Sequence, residues 1–185
     1  MTPAEALDRR SLLATVSGRV LEIGPGRGVN LPHYRPDVEW TGLEPAARKH
    51  RSIRVTARRL GREITLHRDP AEAIPLPDAS VDAVVATFVL CSVTDAARCL
   101  QEIRRVLRPG SPFVFLEHVG APKGTFSRRL QDGWARLQLG HCRPNRETAS
   151  VIEAAGFAHV ACTTAVMRPL GLQVPVIRGT ATSAS

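Results

Sequence analysis

The sequence predicts an α/β fold around a mostly parallel β-sheet, and three observations carry that expectation. Short apolar runs alternate with amphipathic stretches through the 185 residues, the pattern of parallel strands joined by helices. A glycine-rich turn closes the first run. Another run, residues 81–86, is β-branched and nearly continuous, as suits a strand buried on both faces.

The elements follow in order. Residues 1–18 carry a short N-terminal helix. Residues 19–23 form the first strand, and residues 38–43 the second, bounded by Pro36-Asp37 and Pro45. Residues 63–67 alternate and give a third, more exposed strand. Residues 81–86 and 112–117 are the fourth and fifth. Helical periodicity covers 46–60, 94–107 and 125–139, and Arg108-Pro109-Gly110 stops the second of these. A further helix begins with Asn145 as its N-cap and runs to Gly156. Two strands, 158–166 and 174–182, then follow without an intervening helix. Joined through Arg168-Pro169-Leu170-Gly171, they read as an antiparallel pair. The whole is expected to be a single domain, 1–185, with its core over 19–182 and a loose tail at 183–185.

Charge points one way and its distribution another. Lys plus Arg number 25 against 17 Asp plus Glu, a net +8, which invites a nucleic-acid reading. Yet only Lys49 and Lys123 are lysines, and the arginines spread from Arg9 to Arg178 rather than forming a block. Aromatics make up only 4%, leaving few side chains on which bases could stack. No apolar stretch approaches the ~18 residues that cross a bilayer, so no membrane span is expected. Glu5 and Asp8 interrupt the apolar pattern of the first residues, unlike a secretory signal. Cys91, Cys99, Cys142 and Cys162 form no C-x-x-C pair and no zinc spacing with histidine. No metal site is therefore expected, and the thiols read as reduced, in a cytoplasmic protein. Cys91 and Cys142 read as small core residues.

The strongest local signal is Glu22-Ile23-Gly24-Pro25-Gly26-Arg27-Gly28. Glycines between a strand and the next element let the chain turn tightly and bring backbone N–H groups close to a ligand. The spacing is G-x-G-x-G, not the G-x-G-x-x-G of dinucleotide binders. A carboxylate at Glu22 would repel a diphosphate and suit a ligand carrying ammonium or sulfonium. Glu44, ending the second strand, is placed to accept hydrogen bonds from two ribose hydroxyls. Turn and acids together point to a nucleoside-type cofactor.

With these residues the sequence resembles the class I S-adenosylmethionine-dependent methyltransferases of the methyltransferase type 11 group, over nearly the whole chain. Residues 22–28 resemble the family's E-x-G-x-G-x-G loop, and Glu44 its ribose-binding acid. Ala71-Glu72-Ala73-Ile74-Pro75-Leu76-Pro77-Asp78 resembles A-E-x-L-P-F-P-D, which lies beside the adenine. Ser80-Val81-Asp82-Ala83-Val84-Val85 resembles the strand that follows, and Arg105-Val106-Leu107-Arg108-Pro109-Gly110 the turn before the fifth strand. Where the family carries an acid before Ala-Glu, this chain has Pro70, with Asp69 one position earlier. The resemblance implies a Rossmann-like fold with a seven-stranded, mostly parallel sheet, a C-terminal antiparallel strand and helices on both faces. It implies S-adenosyl-L-methionine as cofactor and S-adenosyl-L-homocysteine as product. The cofactor residues it implies are Glu22, Gly24, Pro25, Gly26, Gly28, Asn30, Glu44, Pro45, Ala71, Glu72, Thr87 and Phe88.

The acceptor chemistry should lie after the fourth and fifth strands. No Asp-Pro-Pro-Tyr motif and no Pro-Cys pair occurs there, against exocyclic base amines and cytosine C5. Leu90-Cys91-Ser92-Val93, Leu116-Glu117-His118-Val119 and the run from Gly140 to Thr148 resemble segments of small-molecule methyltransferases related to the alkyl-thiol methyltransferases. That resemblance implies a small-molecule acceptor, with S-methylation of a thiol preferred. His118 is the candidate base, since a histidine titrates near neutrality, or else it caps a loop carbonyl. Glu117 could orient it, and His141 could reach the site from the turn before Pro144. Trp134 and Phe126 read as core packing, or else as an apolar wall over the acceptor, and Arg128, Arg129 and Arg136 as a solvated helix face, or else as an attraction for an anionic substrate. An RNA-directed methyltransferase and a non-catalytic cofactor-binding module are the alternatives. Nucleic acid is not the expected partner, and a homodimer stays open.

Overall fold

The structure, a computed structural model, describes residues 8–137, 142–167 and 173–184. Its strands are β1 (Arg19–Ile23), β2 (Glu39–Leu43), β3 (Ile64–His67), β4 (Ala83–Thr87), β5 (Pro112–His118), β6 (His159–Met167) and β7 (Val174–Thr182). They form one sheet in the order β3-β2-β1-β4-β5-β7-β6. The first five strands run parallel, and β7 lies antiparallel to both β5 and β6. The expected seven-stranded sheet and its antiparallel C-terminal pair are both present. The helices are α1 (Arg9–Leu13), α2 (Ala47–Arg59), α3 (Ala96–Val106), α4 (Phe126–Arg136) and α5 (Thr148–Ala154).

Two apolar layers explain why these residues fold this way. On one face Leu100, Ile103 and Val106 of α3 and Ile152 of α5 pack on Leu21, Val84, Phe113 and Phe115. On the other, Leu12 and Leu13 of α1 and Ile53 and Ala57 of α2 cover Val20, Val85, Val114 and Leu116. Neighbouring residues of β1, β4 and β5 thus feed opposite layers, the two-sided burial that makes central strands apolar throughout.

Several boundaries differ from expectation for identifiable reasons. The fourth strand begins at Ala83, with Val81 instead making an isolated parallel bridge to Leu107, while the Asp82 carboxylate accepts from the Arg19 N–H at 2.8 Å and pairs with Arg108. The last helix begins at Thr148, with Glu147 rather than Asn145 as its N-cap. Asn145 instead donates from Nδ2 to Asp132 Oδ1 of α4 at 2.9 Å. Gly156 does follow that helix with φ of +79°, the left-handed stop expected of it. On α4, Phe126 is 70% exposed and Trp134 46%, so neither is core. Arg128, expected on a solvated face, joins Asp132 and Glu147 instead.

The core predicts its own sensitivity. Phe113 is fully buried between α3 and α5, so Phe113→Ala should cost about 3–5 kcal/mol through lost burial and the cavity left behind. Val29→Ala, at a position 54% exposed, should change stability by less than about 0.5 kcal/mol. Equal urea midpoints for the two variants would contradict this layering.

Candidate functional site

The carboxyl ends of β1, β2 and β4 meet where the strand order reverses between β1 and β4, the place at which open α/β sheets hold ligands. A cavity of about 420 Å³ opens there, lined by Ile23, Gly24, Leu43 to Ala46, Arg48, Lys49, Pro70 to Glu72, Phe88, Val89 and Ser92 to Thr94. A larger hollow of about 730 Å³ lies near the opposite ends of β1, β2 and β3, beside Arg19, Glu39 and Glu63. It contains none of the glycine turn.

Local chemistry shapes the cavity. Gly24 and Gly26 have φ of +59° and +60°, a region L side chains avoid. A Cβ on Gly24 would come within 2.7 Å of Val89, whereas one on Gly26 would meet only the Gly24 carbonyl oxygen, at 4.0 Å. Backbone is therefore bare on the turn's open side. Glu44, buried at the end of β2, accepts from the Gly26 N–H at 3.1 Å and the Ala46 N–H at 3.0 Å. Lys49 Nζ approaches both its oxygens, at 3.2 and 3.1 Å. The carboxylate is thus fixed by two amides, while its one cationic partner is a flexible side chain from the cavity wall.

Glu22, 1% exposed, lies beneath the turn and outside the cavity lining. Its Oε1 accepts from Asn30 Nδ2 at 2.9 Å, and its Oε2 from Tyr34 Oη and Trp40 Nε1, each at 2.9 Å. Asn30 Nδ2 also donates to Thr87 Oγ1 at 3.0 Å, and Asn30 Oδ1 accepts from Arg9 at 2.7 Å. Glu22, Asn30 and Thr87 therefore make a polar floor, with Arg9 reaching it from α1. Sequence reasoning missed Arg9, and no local motif marks it. Glu72 lines the cavity, yet its Oε1 accepts from the Thr94 and Asp95 N–H groups at 2.8 and 3.0 Å, tying down the loop into α3. Pro70, not Asp69, is the lining residue before Ala71.

Beyond Phe88 lies a second group of side chains. Phe88 has φ of +58°, a strained backbone for an aromatic residue and a common mark of functional sites. Its ring packs against His118 at 4.4 Å between centroids. Glu117 is fully buried, and its Oε1 accepts from the Val89 and Leu90 N–H groups at 2.9 and 3.1 Å. Its Oε2 has no hydrogen-bond partner among the described residues. Desolvation, then repulsion from Cys91, push its carboxyl up to about 8. It holds the 88–91 turn rather than touching the His118 ring. His118 Nδ1 instead faces Cys91 Sγ at 3.9 Å and Cys142 Sγ at 3.8 Å. His141 lies outside the described residues. The pairing of Cys91 with Cys142 was not legible because 51 residues separate them.

The floor can be tested directly. Desolvation, opposed by its three hydrogen-bond donors, holds the Glu22 carboxyl above its ordinary 4.5. The native chain keeps that proton where the unfolded chain has released it, so this group's contribution weakens as pH rises through the window above 4.5. Tyr34→Phe removes a donor to the charged form and should cost about 1.5–3 kcal/mol at neutral pH. The cost should shrink as pH falls toward 4.5. A difference between the two proteins that denaturation finds the same at every pH would refute this account.

Comparisons with known proteins agree with this fold. A family model described as a methyltransferase domain matches residues 21–115. Thiol S-methyltransferase TMT1B of Homo sapiens is 36% identical over 157 residues, which cover 80% of this chain and 64% of that protein. The chain therefore spans a little under two thirds of that relative's length. Among solved structures, the cyclase SpnF superposes with a TM-score of 0.77 at 19% identity, covering 98% of this chain and 80% of that one. A SAM-dependent methyltransferase from Methanosarcina mazei gives 0.73 at 17% identity, covering 90% and 92%. At these identities the structural matches speak for the fold.

Proposed function

The chain belongs to the methyltransferase-domain family, and from that premise we propose that it transfers a methyl group from S-adenosylmethionine to the sulfur of a small-molecule thiol. The observation that carries the reading is Glu44, a buried carboxylate that lines the cavity beside the Gly24 backbone and accepts from the Gly26 N–H. The 36% identity to a thiol S-methyltransferase favours sulfur as the acceptor atom. Bound there, S-adenosylmethionine supplies an electrophilic methyl group on a sulfonium, which leaves as S-adenosylhomocysteine once the methyl has moved to the acceptor.

The chain's own residues supply position. Glu44 takes the ribose hydroxyls, with Lys49 swinging aside from its oxygens. Backbone at Gly24 and Gly26 accommodates the amino-acid end, and Pro70, Ala71 and Val93 offer an apolar wall for the base. A thiol needs little help with deprotonation, since an ordinary pKa of ~8.5 leaves a few per cent thiolate at neutrality. Holding sulfur in line with the methyl carbon is then the main contribution. We place the chain in a reducing compartment such as the cytoplasm, where its free cysteines would stay reduced. No helix among the described residues is long and apolar enough to cross a membrane.

Two measurements test the reading. Glu44→Ala should weaken S-adenosylmethionine binding at least tenfold by calorimetry (about 1.4 kcal/mol), because two ribose hydroxyls lose their acceptor. Unchanged affinity would place the cofactor elsewhere. With labelled cofactor, label should move to alkyl or aryl thiols in preference to phenols, amines and RNA. Transfer to RNA or amines alone would overturn the thiol assignment.

A further inference from the structure

Cys91 in the turn after β4, His118 at the end of β5 and Cys142 in the segment before α5 converge beside the cavity. One ligand atom from each lies within 4.8 Å of the others. The two sulfurs are 3.1 Å apart, and His118 Nδ1 is 3.9 and 3.8 Å from them. Tetrahedral zinc, with bonds of ~2.3 Å to sulfur and ~2.0–2.1 Å to nitrogen, spaces such atoms roughly 3.5–3.8 Å apart. Shifts of less than about 1 Å would seat the ion. Two thiolates and an imidazole are a soft set that selects zinc over magnesium or calcium. Three protein ligands leave the fourth position open, the arrangement of catalytic rather than structural zinc.

The convergence is built into the backbone. The Arg143 N–H donates to the Cys91 carbonyl at 2.7 Å, and the Gly120 N–H to the Arg146 carbonyl at 3.0 Å. The Arg146 guanidinium donates to the carbonyls of Leu90 and Val93. Thr148 Oγ1 donates to the His118 carbonyl at 3.0 Å. All three ligand-bearing segments are thereby stapled to one another. Phe88 packs on the imidazole and also lines the cavity, so the cluster borders the place proposed for the cofactor.

We propose that Cys91, His118 and Cys142 hold a zinc ion whose fourth position takes the sulfur of the thiol acceptor. The second half of this statement rests on the thiol-methyltransferase reading. Loading releases the protons of both cysteines. At the open position a water leaves, the acceptor's sulfur–metal bond forms, and the thiol proton passes to solvent. Zinc stays divalent throughout, and no oxidant or reductant is consumed. His118 is then a ligand, not a base.

The experiment strips the full chain with a chelator under reducing conditions and titrates it with Co²⁺, then Zn²⁺. One Co²⁺ per chain is expected, with thiolate-to-cobalt charge-transfer absorption and tetrahedral ligand-field bands that Zn²⁺ abolishes. Cys142→Ser, on a half-buried loop position, and Cys91→Ser should each lower affinity by at least about tenfold. Cys162→Ser, exposed on β6, should leave binding unchanged. Adding a small alkyl thiol should shift the ligand-field bands. Failure of the folded wild type to retain either metal overturns the site, as does equal binding by the double Cys91/Cys142 variant. Peroxide-driven cross-linking of the pair without metal binding overturns it too. Metal binding with bands insensitive to thiol, and no thiol methylation, overturns the acceptor assignment and keeps the site. Undiminished thiol methylation by metal-free protein overturns the acceptor's place on the metal and keeps the proposed function.

Discussion

A single buried carboxylate organises the ligand-facing end of the sheet. Glu22 sits on β1 with both oxygens satisfied, by Asn30, Tyr34 and Trp40. A carboxylate out of water is tolerated only when its lone pairs are met, so its three donors are tightly constrained in place. They come from two stretches: Asn30 and Tyr34 flank the 3₁₀ turn Leu31–His33, and Trp40 lies on β2. Through Asn30 the network continues to Thr87 on β4 and to Arg9 on α1. The path of the glycine turn above this floor is thus set by polar accounting as much as by glycine's freedom. Removing the acid would take the acceptor from Tyr34 Oη and Trp40 Nε1 and leave Asn30 Nδ2 with Thr87 Oγ1.

Arginine does much of the comparable work elsewhere, which bears on the net charge. Arg105 donates to the carbonyls of Ile74 and Leu76 as well as to Glu102 and Asp78. Arg108 pairs with Asp82, Arg128 with Asp132 and Glu147, and Arg146 joins two loop carbonyls. The guanidinium's forked, always-charged geometry suits such stapling, and a lysine could not reproduce it. These arginines are engaged in internal contacts.

How far the molecule was legible follows from the range of the interactions concerned. Strands, the order of elements and the glycine turn depend on neighbours in sequence, so periodicity and backbone freedom reveal them. Glu44 was equally readable, because the end of a strand beside a ligand crevice is a position fixed by topology. The downward orientation of Glu22 was not, since its partners lie 8, 12 and 18 residues away. The N-cap at Glu147 escaped notice because Asn145, the better capping residue by type, is engaged with α4. Phe126 and Trp134 read as core by hydrophobicity, yet on α4 they stand 70% and 46% exposed. The Cys91, His118 and Cys142 cluster brings together three segments that no spacing rule connects.

Phe88 is where the two halves of the site meet, and its backbone explains how. A non-glycine residue with φ of +58° carries a strain of about 1–3 kcal/mol, so its surroundings must impose that conformation. Its N–H is held by the Leu116 carbonyl at 2.8 Å. The next two N–H groups, of Val89 and Leu90, are held by Glu117 Oε1. Three consecutive amides are thereby directed at β5, which leaves the chain no room to relax. The outcome of this grip is that one side chain faces both the cavity and the His118 ring. Relief of the strain would turn the ring away and separate the two. A fold that retains such a conformation keeps two groups of side chains at a fixed distance across one aromatic ring, the fixed spacing that the proposed methyl transfer would use.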